Sequence, residues 1–224
     1  NKYIELRNKG VKIYNQSFGT PNEFNMPGIN YRNEIWNSLK TAGVWTQDQI
    51  DHKTDELINF YKDSVNDGAL FVWAAGNRKK VGGNVVTLNN PTIQAGLQEY
   101  IPSLYKGWIA VVGVRDDGTE FGPHLARAGA ARMWTISANG YCELSGCSEY
   151  GSSFAAPRVT AAAAKVKEKF PVLQMFFTDR MAKDVSNTIK DIIMENQEKI
   201  FEIFSNYAEE NIDFEVIISD KISN

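Results

Sequence analysis

GSSFAAPRVTAAAA, residues 151–164, sets two serines at the mouth of a helical segment and then fills that segment with alanine. A serine in such a place is ordinarily a cap, because its oxygen accepts from a backbone N–H that the first turn leaves without a partner. The neighbours here point further. Pro157 is expected within the first helical turn, where a missing N–H costs little, and Ala155 and Ala156 keep the approach to Ser153 clear. The start of a helix also offers backbone N–H groups and a positive dipole end, which stabilise negative charge beside a serine oxygen. Over residues 151–169, Ala156, Val159, Ala162, Ala163 and Val166 make a narrow face of small side chains, suited to a helix lying close on a sheet.

Working outward, VKIYNQSFG (11–19) alternates apolar and polar residues and stops at Gly19-Thr20-Pro21, the pattern of a strand running into a turn. Residues 53–66 place Leu57, Ile58, Tyr61 and Val65 at helical spacing. ALFVWAAGN (69–77) and WIAVVGVR (108–115) are continuous apolar runs of strand length, which is how strands buried on both faces read. Strands alternate with helices, and that predicts a mostly parallel sheet covered by helices, with ligands beyond the carboxyl ends of the strands. After Pro171 the chain turns rich in Asp, Glu, Lys and Asn. Ile189, Ile193, Ile200, Phe204 and Tyr207 form one stripe there, so residues 171–224 read as a helical segment packing on a domain formed by residues 1–170.

The 224 residues are 43% hydrophobic, enough for a buried core of ordinary size. A net charge of -3, with Lys and Arg scattered, gives no footprint for nucleic acid. No apolar run approaches the roughly 20 residues of a membrane helix. NKYIELRNKG lacks the apolar core and cleavage site of a signal peptide, and the absence of an initiator Met suggests a chain that begins inside a longer precursor. Cys142 and Cys147, the two cysteines, either close a small disulfide loop or stand as thiols; two ligands alone do not make a zinc site.

GSSFAAP resembles the nucleophile motif of the subtilisin-like serine proteases, Gly-Thr-Ser-x-Ala-x-Pro, with Ser152 in the usual Thr position. VWAAGN resembles the segment whose asparagine, here Asn77, completes the oxyanion hole, and Ala75 and Gly76 precede it as substrate wall. IYNQSFG is similar to the strand whose backbone, here Ser17, Phe18 and Gly19, pairs with an extended peptide, a form of strand addition. WIAVVGV resembles the strand between asparagine and serine. The ordered set covers about residues 10–170. ARMWTISANGYCELSG, followed by the serine motif, is similar to the autotransporter-type subtilases of bacterial surfaces. What the resemblance implies is a three-layer subtilisin-like α/β fold, a Cys142–Cys147 disulfide, a secreted or cell-surface setting, and a helix inserted between Ser17 and Asn77.

One part of the chemistry is missing. Serine needs a histidine base oriented by a carboxylate, and in this family Asp and His precede the substrate strand. The residues before Gly10 contain neither, and His52 and His124, the two histidines present, both follow Ser17 without the Gly-Thr that marks the family's catalytic helix. The expectation is therefore a C-terminal part of a subtilase domain, incomplete at its N-terminal side and nearly inert alone. An unpaired sheet edge would be filled by the N-terminal portion in trans, by self-association or by a rearranged tail. The substrate would be a polypeptide; the alternative is an inactive relative that binds peptides. No cofactor is indicated. Relatives bind calcium, but no carboxylate cluster here has a recognisable loop spacing.

Overall fold

The computed structural model describes residues 2–169 apart from 21, 26, 82, 83, 121–123, 143–146 and 148; the helical segment read at 171–224 lies outside them. The chain runs α1 (Lys2–Asn8), β1 (Ile13–Gln16), α2 (Tyr31–Thr41), α3 (Gln47–Asn66), β2 (Leu70–Ala74), β3 (Lys79–Val81), β4 (Asn84–Val86), β5 (Trp108–Val114), β6 (Thr135–Asn139) and α4 (Ser152–Lys169). Strands β1, β2, β5 and β6 form one sheet in that order, every pairing parallel, and β3 and β4 make a separate antiparallel pair. Two helices, α2 and α3, occupy the interval where the sequence led us to expect one. The second begins at Gln47, earlier than its apolar stripe indicates, because Thr46 and Gln49 form a capping box.

The two central strands are buried on both faces, and residue parity sorts their side chains into two different environments. Leu70, Val72 and Ala74 of β2, with Ile109 and Val111 of β5, meet Ala155, Ala156, Val159 and Ala163 of α4. Phe71 and Trp73, with Trp108, face the other way into an aromatic layer held by α3. There Tyr61 sits edge-on to Trp108 at 4.9 Å and to Phe71 at 5.0 Å, while Trp73 and Trp108 stack at 5.3 Å. Large rings on one face and alanines on the other make the sheet asymmetric. Small side chains let α4 settle close to the backbone, and this proximity brings its first turn level with the carboxyl ends of β1 and β2.

Backbone contacts leave no slack at the start of β5. A Cβ on Gly107 would stand 2.2 Å from the Ala69 carbonyl oxygen and 3.1 Å from Val65. At the far end, a Cβ on Gly113 would meet Leu125 at 2.6 Å and the Gly140 Cα at 3.3 Å. β1 is the terminal strand on its side, and its outer edge has no strand partner among the described residues.

Gly107→Ala should cost about 1–3 kcal/mol, the usual range for overpacking, read as a lower urea midpoint with an unchanged slope. A second expectation concerns Tyr61, whose hydroxyl burial holds well above the ordinary 10.0, with Tyr3 adding to the effect. Below that value folded and unfolded chains both keep the proton. As pH rises past it the unfolded chain ionises first, so stability falls through the alkaline range. Urea midpoints across about pH 9 to 11 should drop, and Tyr61→Phe should flatten that drop.

Candidate active site

Three chain segments converge where the strands end: residues 15–20 after β1, residues 75–78 after β2, and the first turn of α4. The last two are joined through the Asn77 carboxamide. Its Oδ1 accepts from the Ser152 backbone N–H at 2.9 Å and from the Ser152 hydroxyl at 3.0 Å. A backbone N–H only donates, so the carboxamide orientation is fixed with oxygen toward Ser152. The Nδ2 group has no hydrogen-bond partner among the described residues and lies over Gly151, 3.4 Å from where a Cβ would stand. Ser152 Oγ also accepts from the Gly76 N–H at 3.0 Å. Ser152 is fully buried, whereas Ser153 is half-buried and Asn77 exposed.

Ser153 faces the other segment. Its hydroxyl donates to the Ser17 carbonyl at 3.3 Å, and the Ser17 hydroxyl donates to the Ser153 carbonyl at 3.2 Å. The second of these bonds has a cause in the helix. Pro157 lies inside α4 rather than in its first turn, a correction to the sequence reading. Its missing N–H is the one that would have bonded the Ser153 carbonyl, so that oxygen is left for Ser17. Asn15 Nδ2 in turn donates to Ser17 Oγ at 2.9 Å.

The expected substrate walls stand on either side. Phe18 is 57% exposed with its ring edge-on to Trp73 at 5.4 Å, and Gly19 is exposed beyond it. Ala75 is buried, its N–H donating to Val111 at 2.8 Å and its carbonyl accepting from Thr92 at 2.7 Å. Gly76 adopts φ +118°, a conformation open to glycine. Gly151 donates to the Gly140 carbonyl at 2.8 Å, and Tyr141 bridges Tyr150, so a short hairpin delivers the chain to α4. Cys142 and Cys147 are disulfide-bonded in that hairpin, their Cα atoms 5.8 Å apart.

Neither histidine is hydrogen-bonded to Ser153. His52 is exposed on α3, its Nδ1 3.7 Å from Glu56. His124 packs its ring against Tyr150 at 5.3 Å, with Nδ1 buried and without a hydrogen-bond partner among the described residues. Its carbonyl accepts from the Arg78 N–H at 2.7 Å. Among the described residues no group of three or more His, Cys, Asp or Glu stands together in a way that would hold a metal ion, and no helix is long and apolar enough to cross a membrane.

Ser153 thus stands on the first turn of a helix that starts beyond the carboxyl ends of a parallel sheet. The family model of the peptidase S8, or subtilase, family matches residues 1–215, and the chain belongs to that family. The match runs past the residues 10–170 that carry the motifs, into the segment after α4. Among curated proteins the chain is 28% identical to serotype-specific antigen 1 of Mannheimia haemolytica over 160 residues, covering 63% of this chain and 16% of that protein. It is 25% identical to the Neisserial autotransporter lipoprotein NalP of Neisseria meningitidis serogroup B over 223 residues, covering 86% of this chain and 19% of that one. It thus spans less than a fifth of the length of either relative. Similar solved structures are MycP1 with its N-terminal propeptide removed and the MycP3 protease from the type VII (ESX-3) secretion system, both 19% identical and both covering 77% of this chain. They have TM-scores of 0.44 and 0.46, with 53% and 47% of those chains covered.

Sequence reasoning missed what Ser152 does. Its side chain, not its likeness to threonine, connects Gly76 to Asn77. The signal was a second hydroxyl beside the expected nucleophile, on the buried side of the helix. Ser152→Ala leaves the Gly76 N–H without an acceptor and should cost about 1–3 kcal/mol. Hydrogen exchange at Gly76 should quicken, and Ser152→Thr, which keeps the hydroxyl, should hold it protected.

Proposed function

We propose that this chain supplies the nucleophile, oxyanion donors and substrate groove of a serine endopeptidase. The observation that carries the reading is the placement of Ser153 on the first turn of α4, beside an Asn77 carboxamide whose orientation Ser152 fixes. Ser153 Oγ would attack the scissile carbonyl, forming the Oγ–C bond. The carbonyl oxygen, taking the negative charge, would lie between Asn77 Nδ2 and the Ser153 N–H. Collapse of that adduct breaks the C–N bond. The amine leaves with the proton that came from Ser153, and water then hydrolyses the acyl ester by the same path in reverse. Ser17 to Gly19 would align the peptide by backbone hydrogen bonds, with Ala75 and Gly76 as the opposite wall.

The base is assigned to residues outside these 224, since Ser153 Oγ here donates to a carbonyl, which cannot accept its proton. The outer edge of β1 is the natural place for that portion of the polypeptide, or for a second copy, to join the sheet. A secreted or bacterial cell-surface setting is supported by the autotransporter relative and by the disulfide.

Fluorophosphonate labelling tests the reading. Full-length protein should be labelled at one site, Ser153→Ala should abolish the label, and the 224-residue chain alone should take up only a trace. A folded full-length protein that does not label would instead favour a peptide-binding relative without catalysis.

A further inference from the structure

β1 meets α4 along a seam unlike the rest of that interface. In register with Leu70 and Val72 of β2, Ile13 and Asn15 stand on the α4 side of the sheet. Ile13 packs against the apolar cluster under α4, but Asn15, nearer the site, is polar and exposed on a terminal strand. Apolar burial therefore does not fasten this end of β1 to the helix. Side-chain hydrogen bonds do so instead, and they form a line. Asn15 Oδ1 accepts from Thr160 Oγ1 of α4 at 3.1 Å, a hydroxyl shared with the Ala156 carbonyl at 2.9 Å. Asn15 Nδ2 donates to Ser17 Oγ at 2.9 Å, and Ser17 Oγ donates to the Ser153 carbonyl at 3.2 Å.

The direction of donation matters, because a hydroxyl carries one proton. With Asn15 Nδ2 donating to it, the Ser17 hydroxyl keeps that proton for the Ser153 carbonyl. An acceptor in the place of Nδ2 would turn the proton back toward β1, and the carbonyl would lose it. The amide nitrogen thus selects the bond that ties the end of β1 to the first turn of α4. Neither of Asn15's own side-chain hydrogen bonds goes to Ser153 or Asn77, so any effect it has on them is passed on by Ser17.

We propose that Asn15 is a positioning residue of the site, acting through the Ser17 hydroxyl. The inference rests on the protease reading. By holding Ser17 to Ser153, Asn15 keeps the peptide-aligning backbone of residues 17–19 in a fixed relation to the nucleophile, so that a bound peptide presents its carbonyl to Ser153 Oγ. Losing the donor leaves groove and nucleophile present but loosens one against the other. That slows the reaction of bound peptide more than it weakens binding.

The test is peptide hydrolysis by the full-length protein, with fluorophosphonate labelling and a urea midpoint for every variant. Asn15→Ala should lower kcat about fivefold, the scale of one modest hydrogen bond, with KM within about twofold of wild type. Its labelling rate should fall less than kcat, because the probe makes no use of the peptide wall. Asn15→Asp keeps the size but only accepts once ionised, and it should lower kcat as alanine does, read on the plateau of its pH profile. Ser17→Ala should cost a similar factor, and Asn15→Ala added to it should cost less than about twofold more, since the two act along one path. Wild-type kcat in either Asn15 variant, or effects that multiply in the double variant, would overturn the positioning role while labelled wild type still upholds the protease reading. A fall in kcat that only tracks a lowered urea midpoint in both Asn15 variants would overturn it too, in favour of a purely structural role. Absence of labelling in wild type would overturn the protease reading, and the positioning role with it.

Discussion

The reciprocal hydrogen bonds between Ser17 and Ser153 are the constraint around which the site is organised. Each hydroxyl donates to the other residue's carbonyl, so the end of β1 and the start of α4 hold one another at contact distance. This pairing needs a carbonyl in the first turn of a helix that is not already taken, and Pro157 provides one by having no N–H to offer. It also needs α4 to approach the sheet closely, which Ala155, Ala156 and Ala163 permit and larger residues would prevent. The alanines that follow the serine motif are thus part of the site's geometry, although none of them touches a reacting atom.

A second tie, through Ser152 and Asn77, is of a different kind. It is partly buried and long-range in sequence, and it fixes which way a carboxamide faces. The two ties divide the work. Ser17 and Ser153 place the hydroxyl, and Ser152 and Asn77 place a donor for the charge that attack would create. On the reading proposed above, groups held in this way would need little rearrangement during a reaction, the usual origin of electrostatic stabilisation.

How far the sequence could be read depended on the range of the interaction that decided each feature. β2 and β5 were legible because an uninterrupted apolar run of strand length, bounded by turn residues, fits a strand buried on both faces, and α4 because its small-residue face recurs at helical spacing. The short β6, half-buried along most of its length, lacks such a run, and its TISAN carries no alternation strong enough to name it. The antiparallel β3 and β4 and the helices α1 and α2 were missed for a similar reason: α1 and α2 bury no residue fully and so leave only a faint stripe. At the site, Ser153, Asn77 and Ser17 were named from motif order, whereas the hydrogen bonds of Ser152 to Gly76 and Asn77 were invisible. Those bonds join residues far apart in the chain, and no local pattern encodes such a contact.

The arrangement also separates two tasks that a serine hydrolase must combine. On the reading proposed above, holding a carbonyl and its developing charge would fall to groups set by hydrogen bonds between the strand ends and one helix. Moving a proton is different, because the carbonyl that Ser153 Oγ donates to here is far too weak a base to take it. On the protease reading proposed above, a base would have to displace that hydrogen bond. What the described residues fix is therefore the placing of a hydroxyl and a carboxamide by contacts between the strand ends and the first turn of α4.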